Sequence, residues 1–358
     1  MPALTAAVVA VGSQGRVHVN GYEHIEGVRL VAVADVDLAQ AESVAAGARD
    51  KPRAFSRWEE LLDSGPIDLL SVCTPPAFHY DIVMSAIEHG VRAIHSEKPI
   101  ALSYGEARAM AARARERGVL VTINHQRRFE NLYREARQLI VDGALGELTT
   151  LEGYCANLFD WGSHLVDLLL FLTGDFKPDV VFGQIDVATR RFIYGALAET
   201  ASVTHLHWNT GLNATILTGR DLGMLSVVGN TALVVNGTRG RMLIADGVAE
   251  LRFFDGSCRR IQSRVDPEFQ LEMGGVDHTI IQATADALAD LVDCLTSGRT
   301  PVLDIAHGLA AAEIIFSTYE SSARRGPVVL PLTVDDNALT AGVEKGTWVP
   351  VGESFGTY

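Results

Sequence analysis

The sequence has few cysteines and no long apolar run. Its 358 residues include four cysteines, none of which belongs to a C-x-x-C pair: Cys73, Cys155, Cys258 and Cys294. Disulfide frameworks and metal sites usually show paired spacing, so we expect reduced core cysteines in a cytoplasmic protein and no metal site. A membrane span needs roughly 18 consecutive apolar residues. The most apolar candidate, residues 165–173, is too short.

Basic residues are also fewer than acidic ones. The chain has 30 lysines and arginines against 44 aspartates and glutamates, a formal net charge of −14 at pH 7. Nucleic acids and anionic membrane surfaces bind clustered basic residues, so we predict neither as a partner. The first residues also lack the basic region of a signal peptide. With 47% hydrophobic and 21% charged residues, the composition and length predict a globular protein of two domains.

The first turn of the chain has the pattern of a dinucleotide-binding site. An apolar run over residues 6–11 predicts a strand, and the turn after it reads Ala10-x-Gly12-x-x-Gly15. Gly12 lets the backbone approach a pyrophosphate, and Gly15 lets the next helix pack close to the strand. Ala10 stands where the fingerprint has its first glycine, which adds one methyl group. We predict cofactor contacts from Ala10, Gly12, Ser13, Gln14 and Gly15.

An acid at the end of the second predicted strand, residues 28–34, indicates which cofactor binds. Asp35 follows Gly15 by 20 residues, the distance at which a carboxylate accepts hydrogen bonds from a ribose diol. A 2′-phosphate would meet Asp35 and Asp37 with only Val36 between them and no arginine. We therefore predict NAD as the cofactor, with NADP less favoured.

Helices and strands alternate as far as residue 123. Buried runs over residues 67–73, 91–95 and 119–123 predict further strands. This alternation predicts a doubly wound parallel sheet, the Rossmann fold, with its ligand at the carboxyl ends of the strands. Four polar or small residues occupy such ends: Gly12, Asp35, Thr74 and Lys98. We assign residues 1–123 to an NAD-binding domain.

The pattern changes after residue 123. Short alternating runs between residues 179 and 261, including 222–230, are separated by turn residues. They predict a large, mostly antiparallel open sheet, closed by helices over 280–296 and 305–324. We assign residues 124–358 to an α+β domain for substrate binding and oligomerisation, so the whole chain is of the α/β class.

Two stretches carry candidate catalytic groups. Asp160 and His164 share a face if they lie on a helix. Three interpretations are open. Asp160 caps the helix and His164 packs in the core, or the two form a metal pair without an evident third ligand. In the third, His164 is a general base and Asp160 orients it. Lys98, after a buried strand, is a solvated side chain or a group that stabilises a developing alkoxide. In the second case burial and the cofactor's charge would lower its pKa.

Four motifs in order resemble the Gfo/Idh/MocA family of NAD(P)-dependent oxidoreductases, which act on sugars, inositols and related polyols. They are A-x-G-x-x-G-x-x-H at 10–18, TPP-x-x-H at 74–79, EKP at 97–99 and D-x-G-x-H at 160–164. The resemblance implies a cis Lys98–Pro99 bond, a homodimer or homotetramer, and a catalytic set of Lys98, Asp160 and His164. It also implies cofactor contacts from Thr74, Pro75, His79, Glu97 and Lys98.

We therefore predict an NAD-dependent dehydrogenase of a sugar, inositol or related polyol. Two alternatives stay open. One is an enzyme that retains NAD and cycles it during glycoside cleavage, and the other is a non-catalytic regulator that senses NAD or a sugar. Further candidates for substrate contact are Arg127, Arg128 and Asn157, although arginines at the start of a helix are more often solvated.

Overall fold

The computed structural model describes residues 3–219, 231–273 and 275–355. The chain forms two compact units. The first comprises Met1–Ala101, Glu106–Glu130 and Val265–Gly308. The second comprises Leu102–Gly105, Asn131–Arg264 and Leu309–Tyr358. The strand predicted within residues 222–230 lies outside the described residues.

Strands and helices alternate up to residue 123, as predicted. The strands are β1 (Leu4–Val9), β2 (Val28–Ala34), β3 (Arg53–Phe55), β4 (Leu69–Val72), β5 (Ala93–Ser96) and β6 (Leu120–Ile123). The helices are α1 (Ser13–Glu23), α2 (Leu38–Gly47), α3 (Trp58–Leu62), α4 (His79–Glu88) and α5 (Tyr104–Arg117). A short 3-10 turn, Pro76–Phe78, precedes α4.

Strands β1 to β6 pair in parallel in the order β3-β2-β1-β4-β5-β6. The order runs outward from β1 in both directions, so the sheet has a switch point between β1 and β4. Ligands of such sheets bind beyond the carboxyl ends of the strands at this point. The predicted doubly wound parallel sheet is confirmed.

Further helices and strands follow residue 123. The helices are α6 (Asn131–Val141), α7 (Trp161–Leu172), α8 (His278–Ser297), α9 (Ile305–Arg324) and α10 (Ala338–Glu344). The strands are β7 (Leu148–Cys155), β8 (Val180–Asp186), β9 (Arg190–Ile193), β10 (Ala196–Ala198), β11 (Ala201–His207), β12 (Asn213–Gly219), β13 (Thr231–Gly237), β14 (Gly240–Ala245), β15 (Val248–Phe253), β16 (Cys258–Gln262), β17 (Val328–Val329) and β18 (Glu353–Phe355).

Residues 265–308 belong to the first unit, although a division at residue 123 assigns them to the second domain. Helix α8 packs along α1, where Gly21 leaves the space: a Cβ there would lie 2.8 Å from Leu288 Cδ1. Leu288 and Leu291 are buried in one apolar cluster with residues of β1 and β2. Because this apolar face of α8 is buried in the first unit, the chain returns to that unit after residue 264. A single boundary in the sequence therefore does not separate the two units.

The second unit is built on a large sheet. Over the residues that the structure describes, its order is β16-β15-β14-β13-β7-β12-β11-β8-β17. Only β7 and β12 pair in parallel there, and the other neighbours are antiparallel. The predicted mostly antiparallel sheet is confirmed. Strands β10, β9 and β18 form a smaller sheet.

Helices α7 and α9 cover one face of the large sheet. Gly153 on β7 lets α7 approach closely, since a Cβ there would lie 3.0 Å from Leu165 Cδ2. The Ser321 hydroxyl on α9 accepts a hydrogen bond from the Gly183 N–H at 2.8 Å. On the other face, side chains such as Phe182 and His205 are exposed. The strands thus alternate between buried and exposed residues, as expected for a sheet with one open face.

Two expectations from composition can be compared with the structure. All four cysteines are free, but only Cys155 and Cys294 are buried. Cys258 is exposed because it begins β16, the last strand at that side of the sheet, so the expectation of four core cysteines was wrong. None of the described helices is long and apolar enough to cross a membrane.

The turn between β1 and α1 contains a backbone conformation that favours glycine. Ala10 has a φ of 65°, in the left-handed region, where the Cβ of an L-residue is crowded. The Ala10 N–H donates to the Ala34 carbonyl oxygen at 2.8 Å, which holds the turn against the end of β2. The alanine therefore introduces strain at this position in addition to one methyl group.

We predict that Ala10→Gly raises the free energy of unfolding by up to about 1 kcal/mol, because glycine adopts this φ without crowding. Ala7 is a matched control, since it is buried in the middle of β1. We expect Ala7→Gly to lower the free energy of unfolding by about 1 kcal/mol. Urea denaturation of both variants measures the difference. Equal destabilisation by the two changes would contradict the prediction.

Candidate functional site

The two glycines of the first turn serve different purposes. A Cβ on Gly15 would lie 2.0 Å from the Ala10 carbonyl oxygen, so α1 can follow β1 this closely only with glycine. Gly12 is the N-cap residue of α1 and has extended backbone. Apart from Gly12 itself and its two neighbours in the chain, no described residue has an atom within 4 Å of a Cβ built on Gly12. The structure thus leaves space beside Gly12, where Ser13 is exposed at the helix N-terminus.

Asp35 ties the end of β2 to the glycine turn. Its Oδ2 accepts hydrogen bonds from the Val11 N–H at 2.9 Å and from Gln40 Nε2 at 3.0 Å. Its Oδ1 accepts from the Asp37 N–H at 3.0 Å. The carboxylate is half-buried, and the next side chain, Val36, is 97% exposed. The structure therefore brings Asp35 and the glycine turn together, as predicted.

His79 joins two loops at the carboxyl end of the sheet. Its ring is buried, with Nε2 2.8 Å from the Thr74 carbonyl oxygen and Nδ1 2.9 Å from the Pro99 carbonyl oxygen. Burial lowers the pKa of His79, although both carbonyl contacts act in the opposite direction. Both ring nitrogens are thus directed at backbone oxygens inside the unit, and cofactor contact from His79 stays a prediction. Pro75, by contrast, is exposed.

The Lys98 segment has the cis Lys98–Pro99 bond that the family resemblance implies. Lys98 is half-buried, and Glu97 before it is only 8% exposed. Glu97 Oε1 accepts hydrogen bonds from Asn124 Nδ2 at 2.8 Å and from His18 Nε2 at 3.1 Å. Glu97 Oε2 accepts from the Lys98 N–H at 3.3 Å. The Glu97 carboxylate is thus hydrogen-bonded within the unit, and cofactor contact from this residue stays a prediction.

The charge of Glu97 follows from these contacts. Burial acts to raise the pKa of this carboxyl, but the His18 hydrogen bond and charge, the Asn124 hydrogen bond and the Lys98 charge lower it to about 2. Glu97 is therefore an anion at neutral pH. Sequence reasoning missed Asn124 and gave His18 no role. The sequence offered one signal for each residue. Asn124 is a polar residue directly after β6, and His18 is the last position of the A-x-G-x-x-G-x-x-H motif.

Asp160 and His164 belong to the second unit, at the start of α7. Both are buried. Asp160 is the N-cap residue, but its carboxylate makes no capping hydrogen bond. Asn157 supplies the cap, because its Oδ1 accepts from the Asp160 N–H at 2.7 Å and the Trp161 N–H at 3.3 Å. Asn157, a candidate for substrate contact, is thus buried and caps the helix that carries the candidate catalytic pair.

A buried glutamate supports the loop before α7. Glu199 accepts hydrogen bonds from the Leu158 N–H at 2.5 Å and the Tyr319 hydroxyl at 2.6 Å. Burial raises the pKa of Glu199, and these two hydrogen bonds act against that rise. Sequence reasoning missed Glu199 and Tyr319, since each is distant along the chain from the motif that they support.

Arg127 and Arg128 lie in the 3-10 turn Gln126–Phe129, just after β6. Arg128 is buried and Arg127 half-buried, so the expectation of solvated arginines was wrong for Arg128. Burial raises the pKa of the neighbouring Glu130 to about 7, with the Arg127 charge opposing and the Asp277 charge adding to the rise.

These features define the first unit as a dinucleotide-binding fold. Residues 4–125 match the family described as an oxidoreductase family with an NAD-binding Rossmann fold, Gfo/Idh/MocA. The resemblance seen in the motifs of this chain is confirmed over these residues.

Three similar proteins extend the comparison. An uncharacterised oxidoreductase of Schizosaccharomyces pombe is 29% identical over 37% of this chain, which covers 41% of that protein's length. An NAD+-dependent scyllo-inositol 2-dehydrogenase of Bacillus subtilis is 24% identical over 83% of this chain and 87% of its own. An inositol dehydrogenase homologue of Azotobacter vinelandii, crystallised with NADH and myo-inositol, has a TM-score of 0.75 at 18% identity. That alignment covers 91% of this chain and 97% of the other.

The residues present fit NAD, the cofactor of the family. Gly12 leaves space for a pyrophosphate beside the N-terminus of α1, and Asp35 lies at the end of β2 for a ribose diol. The buried Thr74 hydroxyl after β4 has no hydrogen-bond partner among the described residues. No group of three or more metal-ligating side chains occurs in the described ranges.

We predict that Gly12→Val weakens NAD binding by about 100-fold or more, because the side chain fills the space where backbone approaches the pyrophosphate. It should change the free energy of unfolding by less than about 1 kcal/mol, since the position is open. Gly15→Ala is the contrasting change, and we expect it to lower the free energy of unfolding by about 3 kcal/mol through overpacking. Calorimetric NAD titration and urea denaturation separate the two effects. Unchanged NAD affinity in Gly12→Val would refute the assignment.

Proposed function

We propose that this protein is an NAD-dependent dehydrogenase that transfers a hydride between a hydroxyl-bearing carbon of a sugar, inositol or related polyol and nicotinamide. The observation that carries the proposal is that the NAD-binding turn is accompanied by all three candidate catalytic groups, each on an anchored segment. Lys98 follows β5, with its backbone bonded to Glu97. Asp160 and His164 begin the buried helix α7.

Each group has a distinct role in this proposal. His164 takes the hydroxyl proton, a role suited to an imidazole that titrates near neutral pH. The Lys98 ammonium hydrogen-bonds the same oxygen and stabilises its alkoxide character. Asp160 orients His164 or binds a neighbouring hydroxyl. NAD, when bound, accepts the hydride, and the same residues serve the reverse direction by returning the proton.

The comparisons support the polyol class. One relative that aligns with 83% of this chain is named for scyllo-inositol, and the Azotobacter structure holds myo-inositol. We therefore place inositols first among candidate substrates and other cyclic sugars and polyols next. The cytoplasmic location stays a prediction. So does the homodimer or homotetramer, for which the exposed sheet face around Phe182 and Val203 is the candidate contact surface.

We predict NADH formation at 340 nm with at least one member of a panel of inositols, aldoses, sugar acids and glycosides. Lys98→Met and His164→Asn should each lower kcat/KM by about 100- to 10,000-fold, because each removes a group that acts on the reacting oxygen. Lys345→Met and His89→Asn are matched controls at exposed positions and should keep full activity.

Other results would contradict this function. Turnover that survives both catalytic substitutions would remove Lys98 and His164 from the mechanism. Glycoside cleavage with copurifying NAD and no net NADH release would favour the retained-cofactor alternative. Tight NAD and sugar binding without turnover across the panel would favour the regulator.

We further predict that the double substitution Asp35→Ser with Val36→Arg shifts the preference from NAD towards NADP by at least about 10-fold in kcat/KM. It removes the carboxylate that repels a 2′-phosphate and adds a cation that binds one. Val36 is 97% exposed, so the arginine costs little stability. The single change Val36→Arg is the control and should shift the ratio less. An unchanged ratio in the double variant would show that Asp35 does not set the specificity.

A further inference from the structure

The Glu97 carboxylate lies at the centre of a buried polar cluster in the first unit. His18 comes from α1, Ser71 from β4 and Asn124 from the segment after β6, and all three are fully buried. His18 Nδ1 lies 3.0 Å from Ser71 Oγ, which in turn lies 3.0 Å from the Tyr22 hydroxyl. Elements distant along the chain thus converge on one carboxylate beside Lys98.

Both oxygens of Glu97 are occupied, which leaves this side chain little freedom. Oε1 accepts two hydrogen bonds, from His18 and Asn124, and Oε2 accepts the Lys98 N–H. On the other side of Lys98, the His79 ring contacts the Pro99 carbonyl oxygen. Side chains on both sides therefore hold the backbone of the Lys98 segment.

The Glu97 charge also acts on the Lys98 side chain. The Lys98 charge is one of the contributions that lower the pKa of Glu97. The effect is mutual, so the carboxylate favours the protonated form of the amine. The other titratable groups that face Glu97 are His18 from α1, Cys73 after β4, His79 from α4 and His95 from β5.

We propose that Glu97 is a positioning residue: it fixes the Lys98 backbone and keeps the Lys98 ammonium protonated for the hydride transfer. This inference rests on the proposed function for its catalytic consequence. The effect of the Glu97 charge on Lys98 does not rest on the proposed function, because it is measured in the protein without cofactor or substrate. In this role the Glu97 side chain acts through the lysine that follows it.

The composition of the chain makes a direct test practical. Only four lysines occur in the sequence, at positions 51, 98, 177 and 345. Carbon-13 labelling of the lysine ε-carbon therefore gives four NMR signals in the full chain, and Lys98→Arg identifies the Lys98 signal by its loss. Titration from pH 6 to 12 then measures the protonation of Lys98 in each variant.

The decisive variant is Glu97→Gln, which keeps the shape and removes the charge. We expect the Lys98 midpoint to move to lower pH by about one unit or more, because an opposite charge no longer favours the ammonium. Tyr22→Phe is the matched control, since it removes a hydroxyl at the far end of the same cluster. Its Lys98 midpoint should equal that of the wild type. Equal midpoints in Glu97→Gln and wild type would overturn the proposal.

Turnover measures the positioning effect. With a substrate identified, Glu97→Gln should lower kcat by about 10- to 100-fold, with the basic limb of its pH profile displaced in the same direction as the NMR midpoint. Glu97→Asp keeps the charge but shortens the side chain. It should leave the Lys98 midpoint near that of the wild type and still lower kcat.

A Glu97→Asp variant with wild-type kcat would overturn the positioning role, which keeps the proposal testable if Glu97→Gln does not fold. The failure of the proposed function has a different signature. A wild type without turnover, or a fully active Lys98→Met, contradicts the dehydrogenase. In that case the NMR midpoints in the unliganded protein still decide whether Glu97 holds the Lys98 ammonium protonated.

Discussion

The buried carboxylate of Glu97 needs hydrogen bonds and positive charge around it. The structure at the carboxyl ends of the strands in the first unit depends on this requirement. A carboxylate removed from water must be hydrogen-bonded and offset by positive charge. Glu97 meets this requirement through His18, Asn124 and the Lys98 N–H. Helix α1 and strands β5 and β6 therefore have to be in place together, and the segment that carries Lys98 is held by their combined geometry.

The glycine turn adds a steric constraint to this electrostatic one. The helix after β1 approaches so closely that Gly15 leaves no room for a Cβ beside the Ala10 carbonyl oxygen, whereas Gly12 borders open space. Asp35 then bonds the Val11 N–H and joins the end of β2 to the same turn. The shape of the turn at this end of the unit is therefore set by close approach of the backbone, and Asp35 fixes its position against β2.

In the second unit, buried polar groups likewise hold the helix that carries Asp160 and His164. Its N-terminus is capped by Asn157, and Glu199 holds the preceding loop through Leu158 and Tyr319. Gly153 lets the helix lie close to the sheet. In both units, buried polar groups distant along the chain, such as Asn124 and Glu199, help to hold the segments that carry the candidate catalytic residues.

The sequence by itself determined the fold class, the NAD turn with Asp35 and the mostly antiparallel second sheet, because hydrophobic period and glycine spacing are local properties. Only the tertiary structure decided that α8 returns to the first unit and that Glu97, His79 and Asn157 are directed inward. It also showed that Cys258 is exposed and that Arg128 is buried, the reverse of what their sequence positions suggest. These outcomes depend on contacts between residues far apart in the chain, and no local pattern encodes which buried partner a polar side chain will find.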